Sequence, residues 1–503
     1  MRATAYTVAF LGIDAQLVEV QASVGSGMPG FNIVGLPDKA INEARDRVRA
    51  AFDAISVGLP PKRVTVNLSP ADLPKEGSHF DLPIALAVLA ALQIIPADEL
   101  ERVVSMGELS LDGRLKPVAG ALPAMLAAAE DGRSLLCPRD CGPEAAMIES
   151  VAVFASDDLR GAVDHITGRN PMTPARPAAM TEIPGGRDLA ELRGQHRARR
   201  ALEIAAAGRH HLLMIGPPGA GKSMLAACLP GIMPPLGPAE ALETAMIRSL
   251  SMGDERRRIT RNAPFRAPHH TASMAAMVGG GKGARPGEVS LAHNGVLFMD
   301  ELPEFGRAVL DTLRQPIETG EVAIARAASH ARYPCRFLLV AAANPCRCGH
   351  LGDPARACGR APLCGADYMG RVSGPLMDRF DLRIEVPALP LDDLVRPADG
   401  EDSRTVRARV IAARDRQTAR YGGHDGVRTN ADIGGHLLDE VATPCPAGIE
   451  LMRRAATRIG LTARGYHRVL RVSRTIADLA GAETIEPDHI AEAIGYRIPY
   501  VSG

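Results

Sequence analysis

The chain has 503 residues, more than one hydrophobic core organises, so two or three folded units are expected. Its 58 basic and 58 acidic side chains balance and 46% of its residues are hydrophobic, which excludes a global charge bias and leaves only a local surface for nucleic acid. The opening MRATAYTVAFLGIDAQ has one early Arg and is broken by Asp14, which suits neither a signal peptide nor a membrane span. A cytoplasmic protein with no membrane partner is therefore expected, and in that reducing compartment clustered cysteines point to metal rather than to disulfides.

Residues 1–165 mix alternating stretches such as TAYTVAFLGI and KRVTVNL with helical runs such as DKAINEARDRVRAAFDAI, predicting an α+β or α/β unit. Residues 166–187 are rich in Pro and Gly without periodicity and read as a linker. From Asp188 the run LAELRGQHRARRALEIAAAG predicts a helix, followed by several strand-like apolar runs up to residue 387. Residues 388–503 read as mostly helical and Arg-rich.

The strongest motif is Gly216-Pro217-Pro218-Gly219-Ala220-Gly221-Lys222-Ser223, set between the apolar HLLMI and the helical MLAACL. Glycines let backbone N–H groups wrap phosphate oxygens, Lys222 reaches the β/γ-phosphates and the Ser223 hydroxyl ligates Mg²⁺, so ATP and Mg²⁺ are the expected cofactors. Val296–Met299 then forms an apolar strand ending in Asp300 and Glu301, the first suited to hold Mg²⁺ and the second to orient the attacking water. A further strand, FLLVAAA, ends in Asn344, whose amide can reach the γ-phosphate or that water. Just beyond it Cys346, Cys348, Cys358 and Cys364 follow the spacing C-x-C-x9-C-x5-C, which suits a four-thiolate Zn²⁺ loop, with His350 able to replace one thiolate; reduced thiols that merely pack are the alternative.

This succession, continued by SGPLMDRFDL (373–382) and LTARGYHRVLRVSRTIADLA (461–480), resembles the AAA+ ATPases of the magnesium-chelatase and MCM-like branch. The resemblance implies that Arg379 is an arginine finger entering a neighbouring subunit's site, that Arg464, or less favourably Arg468, is the second sensor, and that Gln195 lies on the adenine side. It also implies a ring, a homo-hexamer. Two stretches correspond to pore elements, 279–295 with Lys282 and Arg285 and the hairpin 318–334 with Arg326 and Arg332; a few cations per subunit can track a DNA backbone, and solvated hairpin charges are the plainer reading. His269 and His270 lack the spacing of a helical zinc site and are expected near the nucleotide pocket in a structural role.

LPKEGSHFDLPIALAVLAAL (73–92) and GELSLDGRLKPVAGALPAMLAAA (107–129) resemble the protease domain of Lon, a ribosomal-S5-like fold. The nucleophile position reads His79-Phe80 with Ser78 slightly early, and Gly120 to Met125 carry no base, so the domain is expected to be catalytically silent. Taken whole, with GLPDKAINEARDRVRAA, PFRAPHHTAS, PGEVSLAHNGVLFMDELPEF and NPCRCG, the chain resembles the YifB/ComM family of magnesium-chelatase-like AAA+ proteins. The resemblance implies an α/β multidomain protein: an S5/Lon-like α+β domain (1–165), a linker (166–187), a P-loop AAA+ module (188–387) with the cysteine insertion 344–365, and a helical lid (388–503). It implies an ATP-hydrolysing hexameric DNA motor promoting branch migration in natural transformation or recombination, with a chelatase-like remodeller of a protein or metal-insertion partner as the alternative.

Overall fold

The computed structural model describes residues 1–178, 185–251, 260–281, 284–326, 329–351, 356–390, 395 and 400–497; the side chains of 325, 326, 329 and 330 are outside the description. The N-terminal unit is built on a seven-stranded mixed sheet of order β3-β4-β2-β1-β5-β8-β9. Its strands are β1 (Arg2–Leu11), β2 (Asp14–Gly25), β3 (Gly30–Val34), β4 (Arg63–Ser69), β5 (Val103–Ser105), β8 (Ser134–Pro138) and β9 (Val153–Ser156). Between β5 and β8 the short strands β6 (Glu108–Leu109) and β7 (Leu115–Lys116) pair apart from this sheet. β1 and β2 pair antiparallel from Arg2↔Ser23 to Leu11↔Asp14, and in β2 buried Val18, Val20, Ala22 and Val24 alternate with residues that are not buried, the two-residue period of a sheet with one covered face. Covering that face is the helix Asp81–Ala91, which is buried on every side because it is sandwiched between the sheet and the helix Lys39–Ala54. The latter is amphipathic: Ile41, Ala44, Val48, Ala51 and Phe52 recur three or four apart and point inward, and the Asp38 carboxylate caps its first turn by accepting from the Ile41 N–H at 2.8 Å.

The segment expected to be a linker begins on the N-terminal unit: the Met172 N–H donates to His165 Nδ1 at 3.0 Å and the Ala175 N–H to the Val153 carbonyl at 2.8 Å. Its residues 179–184 lie outside the described set.

The second sheet has five strands, all parallel, in the order β11-β14-β17-β10-β18. These are β10 (Leu212–Ile215), β11 (Phe265–Arg266), β14 (Val296–Met299), β17 (Leu338–Ala343) and β18 (Leu382–Glu385). β10, β14 and β17 are buried throughout, which explains their continuous rather than alternating apolar sequence. Two small hairpins flank the sheet, β12 (Gly279–Gly280) with β13 (Arg285–Pro286), and β15 (Glu321–Arg326) with β16 (Ser329–Pro334).

One expected helix is shorter than its sequence suggests. The run from Asp188 forms only a single turn at Leu189–Glu191, and the helix starts at His196, because Gly194 and Gln195 adopt φ of 56° and 55°. C-terminal helices Ser403–Tyr421 and Ala463–Ala480 pack on this His196–Gly208 helix, and Ala205, Val410, Ala413 and Ile476 share one buried core with the sheet. No helix among the described residues is long and apolar enough to cross a membrane.

The N-terminal unit touches the second sheet's unit at two places. Phe10 and Ile13, around the β1–β2 turn, pack against the core containing Val322, Ile324 and Tyr333 of the larger hairpin. Gly12 has φ of 68°, and a Cβ there would collide with the main chain of Arg332. The Gly120 N–H donates to the Ser249 carbonyl at 2.8 Å, a second seam where Leu122 meets Ala245 and Met246.

Candidate nucleotide site

Residues at the carboxyl ends of three neighbouring parallel strands converge, the place where open parallel sheets hold ligands. After β10 the chain makes a glycine-rich loop whose Gly216 has no room for a side chain, since a Cβ would run into the Val386 carbonyl. Gly219 and Gly221 take φ of 77° and 89° with open space beside them, so the loop can curl without a Cβ penalty and lead into the helix Lys222–Ala227. Lys222 is 8% exposed. Its ammonium donates to the Gly216 carbonyl at 2.7 Å, the Pro217 carbonyl at 2.9 Å and Asn344 Oδ1 at 3.1 Å, and burial lowers its pKa from the ordinary lysine value. Pro218 is exposed at the crest of the loop and Ala220 is buried at its base.

Ser223 and Asp300 come from different strands yet meet: the Ser223 hydroxyl donates to Asp300 Oδ2 at 2.6 Å. Two hard oxygens so placed fit a magnesium ion, and together with the loop's backbone N–H groups they fit a magnesium nucleotide. Glu301 is exposed beside them with φ of 52°, a backbone region that costs a non-glycine residue roughly 1–3 kcal/mol and that concentrates at functional sites. Its Oε2 lies 3.7 Å from His270 Nδ1, and His270 stacks at 4.1 Å on His269. The histidine pair, expected only to lie near the pocket, thus has one ring against the carboxylate suited to hold the attacking water. Gln195, in its left-handed position, donates from Nε2 to the Pro387 carbonyl at 2.7 Å, joining the break before the helix to the chain leaving β18. The same amide lies 3.5 Å from the Ala220 carbonyl of the glycine loop.

Arg379 lies elsewhere. It precedes β18 and lines a cleft of about 370 Å³ with Arg209 and His211, which precede β10, and Phe337, which precedes β17. Because the strands are parallel, this is the amino end of the sheet, about 13 Å of strand away from the glycine loop that follows β10. Arg379 is 7% exposed, donates from Nη1 to the Pro375 carbonyl at 2.6 Å and is paired through Nη2 with Glu318, a partner no local sequence pattern announced. Arg468 is committed to the buried Asp381, whose carboxyl it and His210 help hold far below the usual carboxylate range against the opposing cost of burial. Arg464, one turn earlier, is exposed at the start of the helix Ala463–Ala480 and acts electrostatically on Arg379.

Of the cations on the hairpins, Arg285 and Arg332 are exposed. Lys282 and the Arg326 side chain lie outside the described residues. The hairpins are joined: the Tyr333 hydroxyl donates to the Ala284 carbonyl at 2.9 Å, and a Cβ on Gly279 would stand 2.9 Å from Ile324 Cδ1. In the N-terminal unit the Ser78 hydroxyl donates to Glu108, while the neighbouring His79 is fully buried with its pKa lowered to about 4 by burial and its Nε2 2.9 Å from the Val8 carbonyl, so each has a partner other than its neighbour.

Beyond Asn344, the sulfurs of Cys346, Cys348 and Cys364 lie within 4.8 Å of one another. Cys358 lies outside that close set of three but interacts with the thiols of Cys348 and Cys364.

Hydrolysis of a nucleoside triphosphate is the chemistry for which such a loop, carboxylate pair and amide are arranged, which places the chain among the AAA+ P-loop ATPases. Residues 188–394 match the family described as magnesium chelatase, subunit ChlI; residues 18–141 match subunit ChlI of Mg-chelatase, and residues 400–497 the C-terminal family of that subunit. The chain is 44% identical to Competence protein ComM of Haemophilus influenzae over 98% of its own length and 97% of that protein's. It is 42% identical to YifB of Salmonella typhimurium, again over 98% and 97%. To the magnesium-chelatase 38 kDa subunit of Cereibacter sphaeroides it is 27% identical over 59% of this chain and 86% of the relative. The chain belongs to the YifB/ComM family of magnesium-chelatase-like AAA+ proteins. That membership implies use of ATP and Mg²⁺.

Proposed function

We propose that this protein is a cytoplasmic, ring-forming ATPase, a homo-hexamer, that drives the movement of branched DNA. The observation that carries the ring is the placement of Arg379 at the end of the sheet opposite the glycine loop. A guanidinium that far from its own nucleotide serves hydrolysis only when it enters a neighbour's site, where it stabilises charge developing on the phosphoryl oxygens. Support for DNA comes from Arg285 and Arg332 on the two joined hairpins, since a few exposed cations per subunit, repeated around a ring, grip a phosphate backbone without reading bases. The relative named as a competence protein, aligned over nearly the whole chain, favours natural transformation or recombination as the setting.

A second reading, ATP-driven remodelling of a protein or metal-insertion partner, draws on the magnesium-chelatase subunits, but their similarity spans only 59% of this chain. The two part company in one experiment: ATP turnover with and without a mobile four-way DNA junction, with strand products followed in the same samples. Stimulation together with ATP-dependent branch movement supports the motor. Turnover indifferent to single-stranded and junction DNA, with no strand products, sinks it in favour of the remodeller.

A further inference from the structure

We propose that Cys346, Cys348, Cys358 and Cys364 form a tetrathiolate zinc site that braces the glycine-rich phosphate loop. Cys346 and Cys348 Sγ stand 3.1 Å apart, and with Cys364 all three lie within 4.8 Å. A tetrahedron of sulfurs at about 2.3 Å from zinc has edges of about 3.8 Å, so shifts of an ångström or less close the set. Cys358, outside that set of three but interacting with Cys348 and Cys364, moves in as the fourth corner.

Packing does not account for the cluster. Elsewhere Cys228 and Cys335 are buried one at a time, each giving its S–H to a carbonyl, of Met224 and of Pro316 respectively. Here the sulfurs face one another. Between Ala343 and Tyr368 the described residues bury only Pro345, Cys346, Gly349 and Gly365, so among them the loop's buried apolar anchoring is little more than Pro345, with the half-buried Leu351 against Gly365. A metal supplies the missing centre, and the exposed Arg347 stands between the first two cysteines to offset part of the net charge of four thiolates on one Zn²⁺.

The link to the phosphate loop is steric. Gly349, in the turn made by the first two cysteines, has φ of 83°, and a Cβ there would collide with the Pro218 ring. Cys346 is two residues beyond Asn344, whose Oδ1 accepts from the Lys222 ammonium. The metal therefore fixes the surface against which Pro218 rests and one end of the strand exit that carries Asn344.

The test uses the full-length chain purified without chelators. Metal analysis is expected to find about one zinc per chain, released by a mercurial thiol reagent, with no visible absorption of the kind iron would give. Cys358→Ser and Cys364→Ser are expected to lose the metal. Wild-type protein stripped by the mercurial and then freed of it by dithiothreitol avoids any folding defect of those variants, and is expected to bind a fluorescent ATP analogue roughly fivefold or more weakly, recovering with added zinc. Gly349→Val is expected to keep its zinc and still bind nucleotide more weakly. A metal-free chain with four freely titrating thiols even after zinc is supplied overturns the proposal, as does iron in place of zinc, or a stripped chain that binds nucleotide as well as the metal-bearing one. The zinc count is independent of whether the motor acts on DNA; only the nucleotide readout rests on the ATP-binding reading.

Discussion

Glu301 holds a left-handed backbone conformation beside Asp300, so its carboxylate is delivered to the pocket at a conformational cost that folding alone does not explain. Replacing it by Gln keeps shape and hydrogen bonding but removes the base: turnover is expected to fall by about 10²–10⁴-fold with nucleotide affinity little changed, as single-turnover and equilibrium binding measurements would separate. Lys222→Ala should do the reverse at the first step, weakening binding by roughly 1.5–3 kcal/mol because a charge-assisted hydrogen bond is lost. Such residues were legible because the strand, the glycine loop and the helix are contiguous, and so are the second strand and its two carboxylates. His270 was legible only as a pocket neighbour, since its approach to Glu301 spans 31 positions of chain. Glu318 was not legible at all: nothing around it distinguishes it from other exposed carboxylates until the fold brings Arg379 to it.

Glu243, on the helix Pro238–Ser249, ties three elements together. It accepts from His293 Nε2 at 3.1 Å, from Asn294 Nδ2 at 3.2 Å and from Arg428 Nη2 at 3.0 Å, linking the approach to β14 with the C-terminal helical region. The His293 bond is the largest influence holding the Glu243 carboxyl well below the usual carboxylate range, while burial lowers the pKa of His293 itself, whose Nδ1 accepts from the Arg336 N–H. A carboxyl depressed in the folded state stabilises fully above its unfolded pKa of about 4.3, and that contribution is lost as pH falls through the folded value. Glu243→Ala should therefore lower Tm at pH 7, by a destabilisation of about 1–3 kcal/mol from the unpaired His293 N–H, with the difference from wild type shrinking below about pH 4. Thermal unfolding across pH would check both; the carboxylate is half-exposed, so salt should weaken the Arg428 share. At this level the sequence spoke through periodicity, which is local, and failed where backbone left it: the helix expected from Asp188 is interrupted because Gly194 and Gln195 turn left-handed to bring the Gln195 amide to Pro387.

At the scale of the proposed ring the decisive geometry is that the glycine loop and Arg379 occupy opposite ends of one parallel sheet. Arg379→Ala is expected to leave each subunit's own pocket able to bind nucleotide while abolishing turnover. In rings mixed with wild type it should silence neighbouring sites, so that activity falls faster than the wild-type fraction; a fall in strict proportion to that fraction would refute the trans role. The proposed trans role requires Arg379 to leave Glu318, so Glu318→Gln should change turnover without changing nucleotide affinity, as the same binding and turnover pair would report. Gly12→Val should unseat the N-terminal unit from the larger hairpin, read as faster proteolysis between the two sheets at unchanged Lys222-dependent nucleotide binding.

That seat has a further meaning. What Gly12 meets on the hairpin is main chain, so the fit between the two units does not depend on which amino acid occupies position 332, while the Arg332 side chain points away, exposed. The exposed side-chain face and the docking surface share one strand but are written in different parts of it. Related chains can therefore exchange the outward side chains of this hairpin without redesigning the joint that carries it.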